Sequence, residues 1–126
     1  MKRVLFSADL PGSPLYSHGI RAGNTVYLSG IIAFDPATKK VEAKTIEVQT
    51  ERAIRNCEQI LRTGGASLED VVQVVVLLKD PQDFDSMNRA YARIFSKDPP
   101  ARAVARLGVD IPNVLVSVMM TAVVVQ

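Results

Sequence analysis

The sequence is poor in the residues from which metal centres and disulfide frameworks are built. It has one cysteine (Cys57), one histidine (His18) and no tryptophan among its 126 residues. A single cysteine excludes an internal disulfide and a cysteine-based zinc site, and a single histidine argues against a histidine-clustered metal site. No local motif supports a hydrolytic Cys–His pair. We therefore expect no metal and no cofactor.

The sequence also has no large excess of positive over negative charge and no long apolar segment. Fifteen Lys and Arg against thirteen Asp and Glu give a net charge of +2, which is too small a surplus to indicate nucleic-acid binding by itself. The longest apolar stretch, residues 114–125, is shorter than the ~20 residues of a membrane helix. The N-terminal segment reaches Asp9, Pro11 and Gly12 before a signal-type apolar region can form. These features predict a cytoplasmic protein without a membrane span.

What remains is the composition of one ordinary globular domain. Hydrophobic residues make up 48% of the chain and charged residues 22%. A chain of 126 residues is the size of one domain, so we predict a single domain over residues 1–126.

Two segments have helical spacing. Over residues 45–63 the apolar positions recur every three or four residues, and Gly64-Gly65 supplies a helix stop. A second stripe covers residues 84–95 and ends before Pro99-Pro100. Five segments favour strands, with valine-rich runs the clearest. The predicted strands are residues 4–6, 25–29, 71–78, 101–107 and 114–125.

This order of elements predicts an α+β fold, a single sheet with two helices packed on one face. The strands at 71–78 and 114–125 are apolar on both faces, because their only polar members are Gln73, Ser117 and Thr121. Two helices shield one face only. Exposing about eight aliphatic side chains on the other would forfeit more than ~10 kcal/mol, comparable to the stability of a domain. We therefore predict a symmetric homo-oligomer in which copies of the chain cover this face.

Polar residues inside the apolar strands are the candidate site residues. Arg102 needs a carboxylate partner, an exposed edge or a ligand anion, and a guanidinium can clamp a substrate carboxylate through two hydrogen bonds. Ser117 and Thr121 share one strand face. Their hydroxyls either satisfy neighbouring backbone groups or line a pocket between subunits.

Four motifs in register resemble the Rid family, the YjgF-type reactive intermediate deaminases, from about residue 15 to the C-terminus. They are Leu15-Tyr16-Ser17-His18-Gly19-Ile20, Tyr27-Leu28-Ser29-Gly30, Asp83-Phe84 with Met87-Asn88-Arg89-Ala90-Tyr91, and Pro100-Ala101-Arg102-Ala103.

The resemblance implies a chorismate-mutase-like fold assembled as a barrel-like homotrimer with three clefts between subunits. It implies hydrolysis of imines and enamines, such as 2-iminobutanoate and 2-aminoacrylate, to a 2-oxo acid and ammonia without a cofactor. Arg102 would hold the substrate carboxylate and Tyr16 would close the cleft. Ser29 and Asn88 would help to shape it.

The chain departs from the family pattern at the positions that would place the attacking water. No Asp or Glu follows Asp110, and Ser117, Met119 or Thr121 takes the place of the usual glutamate. Ile31 replaces a usual glutamine and Val104 a frequent cysteine. Ser117 and Thr121 are therefore the candidates for positioning water. The alternatives are a trimer that binds small carboxylates without catalysis and a Rid member with a divergent substrate.

An RNA-directed activity is the weakest hypothesis. Arginines on both predicted helices could form basic patches, but glutamates are interspersed and no aromatic platform or histidine pair accompanies them. These arginines are Arg52, Arg55, Arg62, Arg89 and Arg93. We also expect His18 in a loop near the cleft mouth and Cys57 as a small buried hydrophobic residue.

Overall fold

A single mixed sheet carries two α-helices on one of its faces in the computed structural model, which describes residues 1–125. The helices are α1 (Ile46–Thr63) and α2 (Phe84–Ile94). The strands are β1 (Lys2–Leu5), β2 (Gly19–Ala22), β3 (Thr25–Leu28), β4 (Val71–Leu78), β5 (Ala101–Arg106) and β6 (Val116–Val123).

The strand order across the sheet is β1-β2-β3-β6-β4-β5. Strands β4 and β5 are parallel and α2 connects them, whereas the other neighbouring pairs are antiparallel. This topology puts the long apolar strands β4 and β6 at the centre and leaves β5 at an edge. Arg102 therefore lies on an edge strand, beside the helix that precedes it.

Local sequence explains where α1 begins and ends. The Thr45 hydroxyl accepts a hydrogen bond from the backbone N–H of Val48 at 3.3 Å, which satisfies one of the free donors of the first turn. The helix ends at Thr63, and Gly65 then takes a φ of +79°, a left-handed conformation that glycine adopts without a Cβ clash.

The core lies between the helices and one face of the sheet. Along β4 and β6 the side chains on this face are fully buried, as the alternation of a strand requires: Val74, Val76, Leu78, Val116, Val118, Met120 and Ala122. The opposite face has no covering layer from residues 1–125. Met119 is 41% exposed there and Tyr27, on β3, is 52% exposed. The second apolar face expected from the sequence is thus present, and its covering by other copies stays a prediction.

The predicted α+β class, the single sheet and both helices are confirmed. The predicted set of strands was incomplete, because β2 (Gly19–Ala22) was missed. This strand has no apolar alternation of its own and pairs with β3 across the turn at Gly23, whose φ is +59°. The first strand also begins earlier than predicted, at Lys2, and the last is shorter, because residues 114 and 115 precede it as loop.

None of the helices within residues 1–125 combines the length and the apolar character needed to cross a membrane.

Candidate functional site

Arg102 projects from β5 toward the helix layer at the edge of the sheet. It is in register with Val74 of β4, which is fully buried beneath the helices, and in-register neighbours share a face. Its Nη1 donates a hydrogen bond to Asn88 Oδ1 on α2 at 2.7 Å. Two aromatic rings of α2 lie beside the guanidinium, with Cζ 4.8 Å from the ring centre of Tyr91 and 5.9 Å from that of Phe84.

No Asp or Glu in the described part of the chain forms an ion pair with Arg102. Within the described residues of one chain Arg102 therefore has no carboxylate partner, and it lies on an exposed edge. Asn88 and the rings fix the cation without neutralising it. The arrangement leaves donors of the guanidinium available for an anion.

Tyr91 supports this cation through its ring and makes no use of its hydroxyl. The phenol oxygen is buried and has no hydrogen-bond partner within residues 1–125. Burial raises the pKa of Tyr91, and the charge of Arg102 acts in the opposite direction. The phenol therefore stays neutral near pH 7.

A second group of predicted residues lies on the other face of the sheet. Ser117 of β6 is in register with Leu77 of β4 and is only 6% exposed. It borders a cavity of about 310 Å³ whose walls also include Tyr16 and Gly30. No hydrogen bond to Ser117 Oγ forms among residues 1–125, so this hydroxyl is free to bind a water or a ligand.

Ser29 acts on this cavity through the loop that carries Tyr16. Its Oγ donates a hydrogen bond to the carbonyl of Ser17 at 2.6 Å, and its backbone N–H donates to the carbonyl of His18 at 3.0 Å. The hydroxyl is thus engaged with the backbone. Ser29 is a positioning residue that holds the segment after Tyr16 against the sheet.

His18 is buried in the same loop, and both of its ring nitrogens are engaged. Nδ1 accepts a hydrogen bond from the backbone N–H of Ser7 at 3.0 Å, and Nε2 lies 2.8 Å from the carbonyl of Pro11, to which it donates. These partners define the neutral tautomer with the proton on Nε2. His18 borders the cavity from the loop, but it is 2% exposed and has no free nitrogen for proton transfer.

Thr121 shares the face of Ser117 but does not border the cavity. It pairs with Gln73 of β4 and Tyr27 of β3, toward the other end of β6. Of the two predicted hydroxyls, the structure brings only Ser117 together with Tyr16. Cys57 is buried as expected, its Sγ 3.6 Å from the carbonyl of Val118, and burial raises the pKa of its thiol.

The predicted residues therefore form two groups on opposite faces of the sheet. Arg102 and Asn88 lie on the helix side of the β5 edge, whereas Tyr16 and Ser117 border the cavity on the open side. One chain cannot bring both groups to one small ligand. A ligand that contacts both must lie between two chains.

The family model described as Endoribonuclease L-PSP matches residues 8–124. The chain belongs to the Rid family. It is 42% identical over 116 residues to a RutC family protein of Saccharolobus solfataricus, covering 88% of this chain and 91% of the relative. It is 33% identical over 104 residues to the human 2-iminobutanoate/2-iminopropanoate deaminase, covering 82% and 76%. Among solved structures, RidA from a Psychrobacter species has a TM-score of 0.88 and 29% identity, covering 97% of this chain and 99% of that one.

The relatives support a Rid-type function in general terms. Some carry the name of a deaminase, whereas archaeal relatives such as the one from Saccharolobus solfataricus carry only the RutC family name. The names of these relatives therefore do not specify a substrate for this Rid chain.

Sequence reasoning missed two buried amides of α1, of which Asn56 holds a wall of the cavity and Gln49 holds the segment that follows the lining residue Ile111. Asn56 Nδ2 donates hydrogen bonds to the carbonyls of Ile32 at 3.1 Å and Phe34 at 2.9 Å. Gln49 Nε2 donates to the carbonyl of Asn113 at 2.7 Å. Positions 46, 49, 53, 56 and 60 keep helical spacing, so the buried stripe itself pointed to both amides.

The arginines of the two helices are largely neutralised. Glu58 pairs with Arg55 at 3.2 Å and with Arg62 at 3.3 Å, and Glu47 pairs with Arg89 at 2.9 Å and with Arg93 at 3.3 Å. The two flanking arginines lower the pKa of Glu47, which stays ionised. This Rid chain thus presents mixed charge on its helices rather than a basic patch. Within residues 1–125 no three His, Cys, Asp or Glu side chains cluster as metal ligands would.

Proposed function

We propose that this Rid chain hydrolyses reactive 2-imino acids and their enamine tautomers to 2-oxo acids and ammonia, in clefts between the subunits of a homotrimer. The observation that carries the proposal is the Arg102 guanidinium, fixed by Asn88 at 2.7 Å and left without a carboxylate partner in residues 1–125. The deaminase name of the human relative supports the same chemistry.

Two features of the chain support the proposed assembly. The open face of the sheet exposes Met119 and Tyr27, together with half-buried aliphatic side chains of β4, which favours association. Arg102 and Ser117 also lie on opposite faces, so a shared site needs the Arg102 of one chain and the cavity of another.

The chemistry needs few protein groups, because an imine carbon is already electrophilic. Arg102 binds the substrate carboxylate through two hydrogen bonds and orients the imine. The Ser117 hydroxyl orients a water toward the imine carbon. The water forms the new C–O bond, its protons pass to the nitrogen, and the C–N bond breaks to release ammonia. A hydroxyl is a poor base near neutral pH, so Ser117 acts by positioning.

The test is ammonia release from imines made in situ by an amino-acid oxidase. Arg102→Gln should lose about thirtyfold or more in kcat/KM, because in the proposed cleft it leaves the substrate carboxylate without its cation, and losing one partner of such an enclosed charge pair costs ~2–5 kcal/mol. Arg106→Gln is the matched control, because Arg106 lies on the same strand and the same side and should keep wild-type activity.

Sedimentation should give three times 13.7 kDa. A folded trimer inert on every imine would overturn the proposal.

A second candidate function is binding of small carboxylates without turnover. The observation in its favour is that no Asp or Glu follows Asp110, so the last strand supplies no carboxylate base. Calorimetry with 2-oxobutanoate distinguishes the two. Binding that depends on Arg102, with no ammonia release from any imine, favours the binding function.

A further inference from the structure

We infer that the cavity beside Ser117 accepts the substrate side chain and selects large apolar ones, so that imines of leucine, methionine or phenylalanine size are preferred to 2-iminopropanoate. This inference rests on the proposed function for the reaction and adds the substrate class. It is carried by the size, the lining and the rigidity of the cavity.

The cavity is too large for a methyl group. Its volume is about 310 Å³. At about 30 Å³ for each molecule of liquid water, that is the space of on the order of ten waters. A methyl or ethyl group would leave most of its wall without contacting atoms, and a void forfeits dispersion contacts.

The lining contains no charged side chain. Its walls are dominated by aliphatic residues, and its polar side-chain atoms without a partner are the hydroxyl oxygens of Ser117 and Tyr16, since both nitrogens of His18 are engaged. The aliphatic residues that define the space are Ile31, Ile32, Leu77, Leu107, Val109 and Ile111. A carboxylate side chain would lose its water here without gaining a charged partner, because the lining offers it only neutral hydroxyls. An apolar side chain gains free energy with each buried methylene.

The walls are also held in place. Asn56 fixes the lining residues Ile32 and Phe34 through two hydrogen bonds. Gln49 fixes Asn113 and Leu115, which follow the lining residue Ile111 in the chain, through two more. Collapse onto a small substrate would break bonds of buried amides, which is costly. The cavity therefore keeps its size and discriminates by how well it is filled.

The experiment measures binding and turnover in parallel on the full-length chain. Binding of 4-methyl-2-oxopentanoate, pyruvate and 2-oxoglutarate is followed by calorimetry. Turnover is followed with imines made from leucine and alanine. We expect the larger apolar acid to bind at least about tenfold more tightly than pyruvate, with the same preference in kcat/KM. We expect 2-oxoglutarate to bind more weakly than either.

Val109→Trp tests whether the preference comes from this cavity. Val109 borders the cavity from a loop and is 62% exposed, so a larger side chain can be accommodated by the fold. The variant should reduce the leucine-to-alanine ratio toward one. Val48→Trp is the control, because Val48 is an exposed residue of α1 away from the cavity, and it should keep the wild-type ratio.

The outcomes separate this inference from the proposed function. Equal or tighter binding of pyruvate overturns the inference, and so does a preference that Val109→Trp leaves unchanged in a folded assembly of wild-type size. If no imine is hydrolysed but 4-methyl-2-oxopentanoate still binds about tenfold more tightly, the proposed reaction is wrong and the cavity assignment stands.

Discussion

Ser117 Oγ lies 2.9 Å from the position that a Cβ atom on Gly30 would occupy. The φ of Gly30 is not in the left-handed region, so the constraint on this position comes from space rather than from backbone conformation. The absent side chain at position 30 makes room for the hydroxyl that we propose to position water. The position of the Ser117 hydroxyl therefore depends on glycine at position 30.

Gly30→Ala should destabilise the chain by about 0.5–1.5 kcal/mol, the cost of moving one side chain off its preferred rotamer, because the new Cβ meets only the hydroxyl of Ser117. It should also lower kcat/KM, because the hydroxyl of Ser117 is displaced. The double variant Gly30→Ala with Ser117→Ala removes the clashing oxygen and should be no less stable than Ser117→Ala alone. Urea unfolding of the four proteins measures the coupling. Additive losses would contradict the pairing.

Tyr91 offers a matched pair of substitutions that separates its ring from its hydroxyl. Tyr91→Phe keeps the ring beside Arg102 and removes a buried oxygen without a hydrogen-bond partner in the described residues, so stability should stay the same or rise. Tyr91→Ala removes the ring and should cost about 3–5 kcal/mol. It should also raise KM by loosening Arg102. A large loss of activity in Tyr91→Phe would show that the hydroxyl has a role that this geometry does not give it.

The sequence predicted the helices and strands that are determined by the spacing of nearby residues. The spacing over α1 and α2 and the valine runs of β4 and β6 are dense signals, and the structure has all four elements near the expected positions. Strand β2 was missed because its pairing with β3 creates it, and a four-residue segment containing Gly19 and Arg21 carries no periodicity. Pattern reasoning detects such a strand only when its partner is already known.

The residues of the candidate site could be predicted from the sequence, but their positions on the two faces of the sheet could not. Arg102 stood out as a cation in an apolar strand, and Ser117 as a hydroxyl in another. That they face opposite sides depends on the register between β4, β5 and β6, which no local pattern specifies. Ser29 was expected to help shape the cleft, but its bond to the carbonyl of Ser17 depends on how the chain folds and could not be read from the sequence.

Asn56 should prove to be a positioning residue for the cavity. Asn56→Ala leaves the carbonyls of Ile32 and Phe34 without their donor, and we expect a loss of about 1–3 kcal/mol in the free energy of unfolding. Because the cavity wall is released, KM for a large apolar imine should rise more than kcat falls. Arg52→Ala is the control, since it removes only the guanidinium that donates to Asn56 Oδ1 at 3.2 Å. Unchanged kinetics in a measurably destabilised Asn56→Ala would limit the residue to a structural role.

The contribution of Cys57 to the free energy of unfolding should decline at alkaline pH. Burial raises the pKa of its thiol above the usual value of about 8.5, so in the folded state it stays protonated where the unfolded chain has already lost the proton. Stability from this group is complete below pH ~8.5. Above that pH, the free energy of unfolding should fall by up to about 1.4 kcal/mol per pH unit.

Cys57→Ala isolates this contribution. The variant loses packing at every pH but lacks the titrating group, so its stability should depend less steeply on pH than that of the wild type between about pH 8.5 and 10. Urea unfolding at a series of pH values and one fixed protein concentration measures both slopes, because subunit association would otherwise shift the apparent stability. Parallel curves would mean that the thiol ionises in the folded state as readily as in the unfolded chain. That result would contradict its burial behind β6, where Sγ lies 3.6 Å from the carbonyl of Val118.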